Sequence, residues 1–526
     1  MDPRGRVVAA ALALLATVTG GVKHADKFTT LGAPVIALTH ARVLDGSSRP
    51  VRDDQTLIIQ GGRISAIGRS GAVDIPKGAQ IRDLTGKSVL PGLVGMHEPL
   101  FYQIEREGSS DLVTTAPETF SKLYLAAGVT SIRTAGTADF DGDLRVKQQV
   151  DGGSQPGPDI DLTGPHLNAI GAKPSPDKVA QAVESAADLG ATSFKADTSL
   201  RSAELKAAIE AAHKRGLRIT GHLCAVGYRE AAALGIDNIE HGIIFDTDLY
   251  SGKQPDRCPD QNDLFGQVMQ MNVSDAAIQR TIADLVHHNV AITSTLAVIE
   301  SFTGREHIID PDIPVLLASR LRAPYQAGLK RWSNPNDGQA QSWARMLHLE
   351  MEFERAFVAA GGRLMAGVDP TGWGGIVAGS GDQRELELLV EAGFSPETAI
   401  KIATLNGATF LHKHEVGMID RGHRADLVIV RGDPSAHISD VRNVELVMKE
   451  GVGYDPAALK NSVAGSIGAY DVRVLLRWPA NAIMTVLLLL VAMQISRIGR
   501  RRSSGRSYYG DPWNIKGLPK HERKVS

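Results

Sequence analysis

The spacing of hydrophobic and polar residues along this chain changes character twice. From Val35 to Leu90 apolar residues come in strand-length runs: Val35-Ile-Ala-Leu38, Thr56-Leu-Ile-Ile59, Arg63-Ile-Ser-Ala-Ile67 and Ile81-Arg-Asp-Leu84. Gly61-Gly62 supplies the permissive pair that a tight hairpin turn requires. From Thr130 to Asp369 short strands alternate with amphipathic helices. Val179, Ala182, Val183 and Ala186 fall at i, i+3, i+4 and i+7, Gly190 closes that helix, and Thr192-Ser-Phe-Lys-Ala196 reads as the following strand. The unit repeats through Leu205, Ala208, Ile209 and Ala212 to Leu217-Arg-Ile-Thr-Gly-His222, and again through Arg229-Glu-Ala-Ala-Ala-Leu234 to Ile236-Asp-Asn-Ile-Glu-His241. Strands separated by single helices call for a parallel sheet, and over this length for a closed (β/α)8 TIM barrel. Ala425-Asp-Leu-Val-Ile-Val430 and Val444-Glu-Leu-Val-Met448 then return to strand character. The two flanks are expected to build one small β-sandwich.

Both ends carry apolar runs of another kind. Arg4 and Arg6 precede Val7 to Val18, the layout of a secretory signal, but no clear A-x-A cleavage pattern follows. Trp478 to Ser496 contains no charged residue and would reach about 28 Å as a helix, close to a bilayer's hydrocarbon thickness. Arg497, Arg500, Arg501, Arg502 and Arg506 follow. The positive-inside tendency places that tail in the cytoplasm and everything before Arg477 on the far side. The expected organisation is therefore a signal peptide or signal anchor (1–25), sandwich (33–90 and 417–455), barrel (91–416), linker (456–477), transmembrane helix (478–496) and basic cytoplasmic tail (497–526). Such a chain is a single-pass protein of the cell membrane, with the lipid bilayer as a partner.

Composition narrows the function. The chain's 526 residues exceed one typical core, 43% hydrophobic and 22% charged residues are those of a globular protein, and a net charge of −2 gives no field for nucleic acid. Cys224 and Cys258 lack the C-x-x-C spacing of a thiolate metal site or redox pair, and their sequence leaves their pairing open.

Lys195, His222 and His241 close three successive strands. In a (β/α)8 barrel all strand C-termini open onto one face, so residues distant in sequence converge there. His97 follows Val89-Leu-Pro-Gly-Leu-Val-Gly95, and Asp369 follows Arg363-Leu-Met-Ala-Gly-Val368. Imidazole nitrogens with carboxylate oxygens suit zinc and related divalent ions. Lys195 inside an apolar strand must be paired, shifted in pKa or chemically changed, because an unpaired buried ammonium is costly.

The blocks Val89-Leu-Pro-Gly-Leu-Val-Gly-Met-His97, Ala126-Ala-Gly-Val-Thr-Ser-Ile-Arg133, Gly190-Ala-Thr-Ser-Phe-Lys195, Thr220-Gly-His222 with Ile239-Glu-His-Gly242, and Ala366-Gly-Val-Asp369 stand in this order. In them the chain resembles the amidohydrolase superfamily, in particular the branch of Xaa-Pro and Xaa-Arg dipeptidases and imidazolonepropionase-like hydrolases. The resemblance spans Val35 to Val452. It implies that His97 and Asp369 serve a first metal, that a carboxylated Lys195 bridges to a second, and that His222 and His241 hold the second. One or two divalent ions per chain, zinc by preference, would be bound, with Asp369 as the base for metal-bound water. The sequence departs from the pattern at two points: the family's H-x-H reads His97-Glu98-Pro99, and its usual preceding aspartate is Gly95.

The leading reading is hydrolysis of a carbon–nitrogen bond in a dipeptide, cyclic amide or other small substrate, with Ser301 to Arg355 covering the mouth of the site. Two alternatives stand beside it: a catalytically degenerate, membrane-tethered binding module, and an esterase or lactonase on the same centre.

Overall fold

A computed structural model describes residues 27–105, 112–167, 174–305 and 310–469. The N-terminal flank contributes β1 (Thr29–Leu31), β2 (Val35–Val43), β3 (Arg52–Gln60), β4 (Arg63–Arg69), β5 (Gln80–Asp83) and β6 (Lys87–Pro91). β3 and β4 meet at Gly61-Gly62, whose φ values of +58° and +75° only glycine adopts without strain, and the register pairs Gln60 with Arg63. The middle of the chain supplies β7 (Leu93–Gly95), a hairpin of β8 (Phe101–Ile104) and β9 (Leu112–Thr115), then β10 (Val129–Arg133), β11 (Asp159–Asp161), β12 (Ser193–Ala196), β13 (Arg218–Gly221), β14 (Asn238–Glu240), β15 (Ala291–Ser294) and β16 (Leu364–Ala366). β17 (Leu427–Arg431), β18 (Val444–Lys449) and β19 (Val452–Tyr454) complete the chain's strands among the described residues.

The flanks merge into one continuous nine-stranded sheet, ordered β1-β19-β18-β17-β6-β2-β3-β4 with β5 on β2. β17 makes the junction, pairing antiparallel with both β6 and β18. Alternate residues of these strands, among them Leu38, Leu57, Ile64, Val89, Leu427 and Met448, share a core of their own.

The remaining eight strands outside the hairpin are parallel. β11-β10-β7 and β12-β13-β14-β15-β16 are two arcs of one ring. A parallel bridge between Thr163 and Ser193 joins β11 to β12, and the Met96 amide donates to the Ala366 carbonyl at 2.8 Å across the β7–β16 seam. The helices between strands form as their patterns predict. In Pro176–Leu189 the Ser175 hydroxyl caps the Lys178 amide, Val179, Val183 and Ala186 are buried, and Gly190 at φ +112° terminates the helix.

The expected membrane-spanning helix and the single-pass placement in the cell membrane are corrected here. Among the described residues no helix is long and apolar enough to cross a membrane. The run 478–496 on which that reading stood lies outside the described residues, as do the signal at 1–25 and the tail at 497–526. Run length and lack of charge measure hydropathy only, and the architecture present is a mixed α/β one. Between these regions Pro456–Asn461 is helical, and Leu459, Val463 and Ile467 are buried against the domain.

Candidate metal centre

The C-terminal ends of the ring strands deliver five buried side chains to one face. His97 lies just past β7, Lys195 within β12, His222 and His241 directly after β13 and β14, and Asp369 three residues past β16. His241 and Asp369 hold φ at +66° and +46°, and Leu223, beside His222, sits at +59°. Non-glycine residues in the left-handed region are uncommon and concentrate where surrounding structure fixes them for function.

Among the described residues, His97, His241 and Asp369 have ligand atoms all within 4.8 Å of one another, as a bound metal ion requires. His97 Nε2 is 3.5 Å from Asp369 Oδ1, and His241 Nδ1 is 3.8 Å from Asp369 Oδ2. Lys195 and His222 lie beside this cluster. Lys195 Nζ lies 3.2 Å from His97 Nε2, and the ring of His222 is 4.9 Å from that of His241.

A second layer aims the first. Glu240, on β14, accepts from His97 Nδ1 at 2.9 Å, from Arg133 Nη2 at 2.7 Å and from the Thr220 hydroxyl. With its Nδ1 proton committed to a carboxylate, His97 turns the lone pair of Nε2 toward Asp369 and Lys195. A carboxylate behind a histidine is the usual means of fixing a ligand's tautomer. Arg133 is itself fully buried and also donates to the Met96 carbonyl, so it pins the backbone preceding His97. Thr295 faces His241 Nδ1 at 2.9 Å. Sequence reasoning named neither Glu240 nor Arg133, although both stand in motif blocks. A buried acid and a buried arginine at strand positions were the available signal.

Burial opposes the charge of Glu240, but Arg133, His97 and Lys195 outweigh it and hold its carboxyl down to about 2. Burial, reinforced by the Lys195 charge, lowers His222 to about 4. Burial and then the neighbouring His97 and His222 push His241 well below the usual histidine range. Both imidazoles are thus neutral near pH 7, the form in which histidine binds a metal. His222 Nε2 is buried with no hydrogen-bond partner among the described residues. Buried nitrogen donors without protons, one of them orphaned, beside a carboxylate fit a divalent cation and fit little else.

Glu98 does not turn into this centre. Its carboxylate accepts the Val368 amide at 3.1 Å and folds back over Gly95. Pro99 is buried, and its carbonyl accepts the Tyr124 hydroxyl at 3.1 Å. At the rim, His166 Nδ1 lies 3.3 Å from Asp197 Oδ2. Cys224, two residues past His222, is joined by a disulfide to Cys258.

A model of the amidohydrolase family matches residues 88–453. The chain belongs to the amidohydrolase family. Hydrolysis of carbon–nitrogen bonds is the activity class that goes with this family, and the strand-end cluster described above can hold the divalent metal that it generally uses. A search of curated proteins found no significant match. Among solved structures, this amidohydrolase is similar to a Xaa-Pro dipeptidase with methionine bound in its active site, at TM-score 0.60 and 18% identity over 80% of this chain and 100% of that one. A prolidase complexed with N-methylphosphonate-L-proline matches at TM-score 0.57 and 18% identity, over 80% and 99% of the two chains. Bottromycin amidohydrolase matches at TM-score 0.61 and 17% identity, over 85% and 93%. At these identities the likeness is one of fold.

Proposed function

We propose that this amidohydrolase cleaves the amide bond of a dipeptide or similarly small substrate at a divalent metal, zinc by its donor set, held by His97, His241 and Asp369. The observation that carries the reading is the buried convergence of these three side chains, with the tautomer of His97 set by Glu240. When bound, such an ion polarises the scissile carbonyl and lowers the pKa of water to about 7.

The chain's own groups do the rest. Asp369 takes the proton of the attacking water and returns it to the departing amine nitrogen, the work of a positioned acid–base. His222 adds a neutral nitrogen beside His241. Lys195 forms no ion pair with a carboxylate among the described residues and contacts a histidine nitrogen instead. Carboxylation of its amine, as in the family's two-metal members, would turn an unpaired buried cation into an anionic oxygen ligand. The structural neighbours named as dipeptidase and prolidase favour a dipeptide over a cyclic amide.

The test is metal content together with turnover on a dipeptide panel that includes Xaa-Pro. One equivalent of metal, with hydrolysis abolished by a chelator and by Asp369→Asn, is the expected result. Metal binding without hydrolysis of amides or of matched esters and lactones would overturn catalysis in favour of the binding module, for which Pro99 is the specific observation. Hydrolysis of esters alone would move the reading to an esterase.

A further inference from the structure

The barrel's other end gathers a second set of charged groups. Arg218 opens β13, Arg363 immediately precedes β16, and His412 and His414 follow the short helix Gly407–Phe410. N-terminal strand ends lie on the face opposite the one that carries His97 and Asp369. Arg218 Nη2 donates to His412 Nε2 at 2.5 Å, and its guanidinium lies 4.3 Å from the centroid of the buried Phe410 ring. The rings of His412 and His414 are 6.2 Å apart. Both arginines are half-buried and both histidines are exposed.

These groups offer more donors than acceptors. Among the described residues neither Arg218 nor Arg363 forms an ion pair with a carboxylate. Carboxylates do lie nearby, but they are engaged or out of contact. Asp237 accepts from His213 Nε2 and from the Ile219 amide, both at 2.9 Å, and Asp159 is held by Lys413, Arg424 and Lys449. Asp161 acts on Arg218 through its charge without pairing with it. Because His412 Nε2 accepts from Arg218, that imidazole keeps its proton on Nδ1 as a further donor. The like charges also oppose one another. Burial and then Arg363 weaken the hold of Arg218 on its proton against the pull of Asp237, and Arg218 is the first cause lowering His412, ahead of burial, His414 and Arg363. Stacking on Phe410 keeps the Arg218 fork in place despite this repulsion.

We propose that Arg218, Arg363, His412 and His414 form a binding site for a phosphate-class oxyanion at the floor of the barrel. A tetrahedral dianion supplies the acceptors that the cluster lacks, and a planar guanidinium fork matches its oxygens. The ligand is inorganic phosphate or the phosphoryl end of a small phosphomonoester, two sources of the same chemistry.

Isothermal titration of the full-length chain with inorganic phosphate, at constant ionic strength maintained with chloride, tests the site. Saturable binding of one phosphate per chain is expected, weakened at least about tenfold in Arg218→Gln and in Arg363→Gln and less in the surface variant His412→Ala. Asp369→Asn should bind phosphate as the parent does, because the catalytic centre lies at the other end. Methyl phosphate binding as tightly as phosphate would identify a phosphomonoester head, and binding of phosphate alone the free ion. Arg218→Lys, which keeps the charge but loses the fork, guards against a folding defect in Arg218→Gln, and it should bind between the parent and the glutamine variant. No saturable binding by the parent would overturn the proposal. So would phosphate affinity that survives both arginine substitutions and disappears in Asp369→Asn.

Discussion

Glu240→Gln isolates what the second layer contributes to the centre. The substitution preserves shape but removes one charge and leaves a single acceptor oxygen where three donors converge: His97 Nδ1, Arg133 Nη2 and the Thr220 hydroxyl. If the amide oxygen faces Arg133, its NH2 meets His97 Nδ1. The imidazole must then carry its proton on Nε2, the atom that faces Asp369 and Lys195. If the oxygen faces His97, the NH2 meets a guanidinium that is 2% exposed in its side chain. Either arrangement loses one charge-assisted hydrogen bond, worth about 1.5–3 kcal/mol. Arg133 keeps its bonds to the Met96 carbonyl and the Thr293 hydroxyl, so the cost should stay below the roughly 3–5 kcal/mol of a fully stranded buried charge. The domain should therefore still fold. Loss of a partner behind a histidine ligand lowers metal affinity about 10–100-fold. Zinc competition against a chromophoric chelator and thermal melting of the metal-free chain read the two effects separately. Because the carboxyl is held down to about 2, its stabilising contribution is present above the unfolded value of about 4.3 and is lost as pH falls toward 2. The difference in Tm between parent and variant should narrow across that window. Zinc affinity equal to the parent's would refute the argument that Glu240 sets the tautomer of His97.

Lys195→Ala should lose bound metal, with partial restoration by short carboxylic acids that replace the missing oxygen; undiminished metal retention would remove Lys195 from the centre. Glu354 is buried and burial, then Glu350 and Glu385, push its carboxyl well above the usual range; burial raises Glu350 to about 8 and Glu385 to about 7. Acids raised in the folded state bind more protons there than when unfolded, so their effect on stability worsens as pH rises from about 4.3 to about 8. Glu354→Gln should accordingly raise Tm more at pH 9 than at pH 5, and an equal gain at both would sink this account. The disulfide closes a separation of 34 residues, so Cys224→Ser with Cys258→Ser should lower stability by roughly 3–4 kcal/mol in denaturant unfolding.

The positions of the site residues were legible because parallel strands buried on both faces read as short apolar runs, and each candidate stands where such a run stops. Sequence order could not say how five strand-end groups divide among ligand positions. The resemblance implies a first metal on His97 and Asp369, a carboxylated Lys195 as bridge, and a second metal on His222 and His241; the histidine and carboxylate atoms that lie closest together among the described residues are those of His97, His241 and Asp369. Which of these groups share an ion depends on ångström-scale side-chain placement, which no periodicity encodes. Glu240 was hidden for a related reason: its role exists only because β14 brings it beneath a histidine 143 residues away. The membrane reading failed at another level, since hydropathy scores a segment alone and says nothing of the surroundings it occupies. The Cys224–Cys258 bond likewise has no local signature.

Gly95, one of the two departures from the family's first-metal motif, forms a packing unit with Glu98. A Cβ added at Gly95 would lie 2.4 Å from Glu98 Cγ and 2.5 Å from Oε1, contacts that real side chains do not make. Glu98 is drawn into that space by the Val368 amide, and burial and then the neighbouring Asp382 push its carboxyl well above the usual range. An aspartate at 95 and a glutamate at 98 therefore compete for the same volume. Gly95→Asp alone should be destabilising by about 1–3 kcal/mol, the usual cost of overpacking a core. Pro99→His should raise metal content from about one to about two per chain by the logic of paired sites. A full reconstruction needs Gly95→Asp, Glu98→Ala and Pro99→His together, because the glutamate must leave before the aspartate fits. Measuring Tm and metal content across these variants tests the coupling. If Gly95→Asp melts with the parent while Glu98 is retained, the two side chains do not exclude one another, and Gly95 is an independent loss.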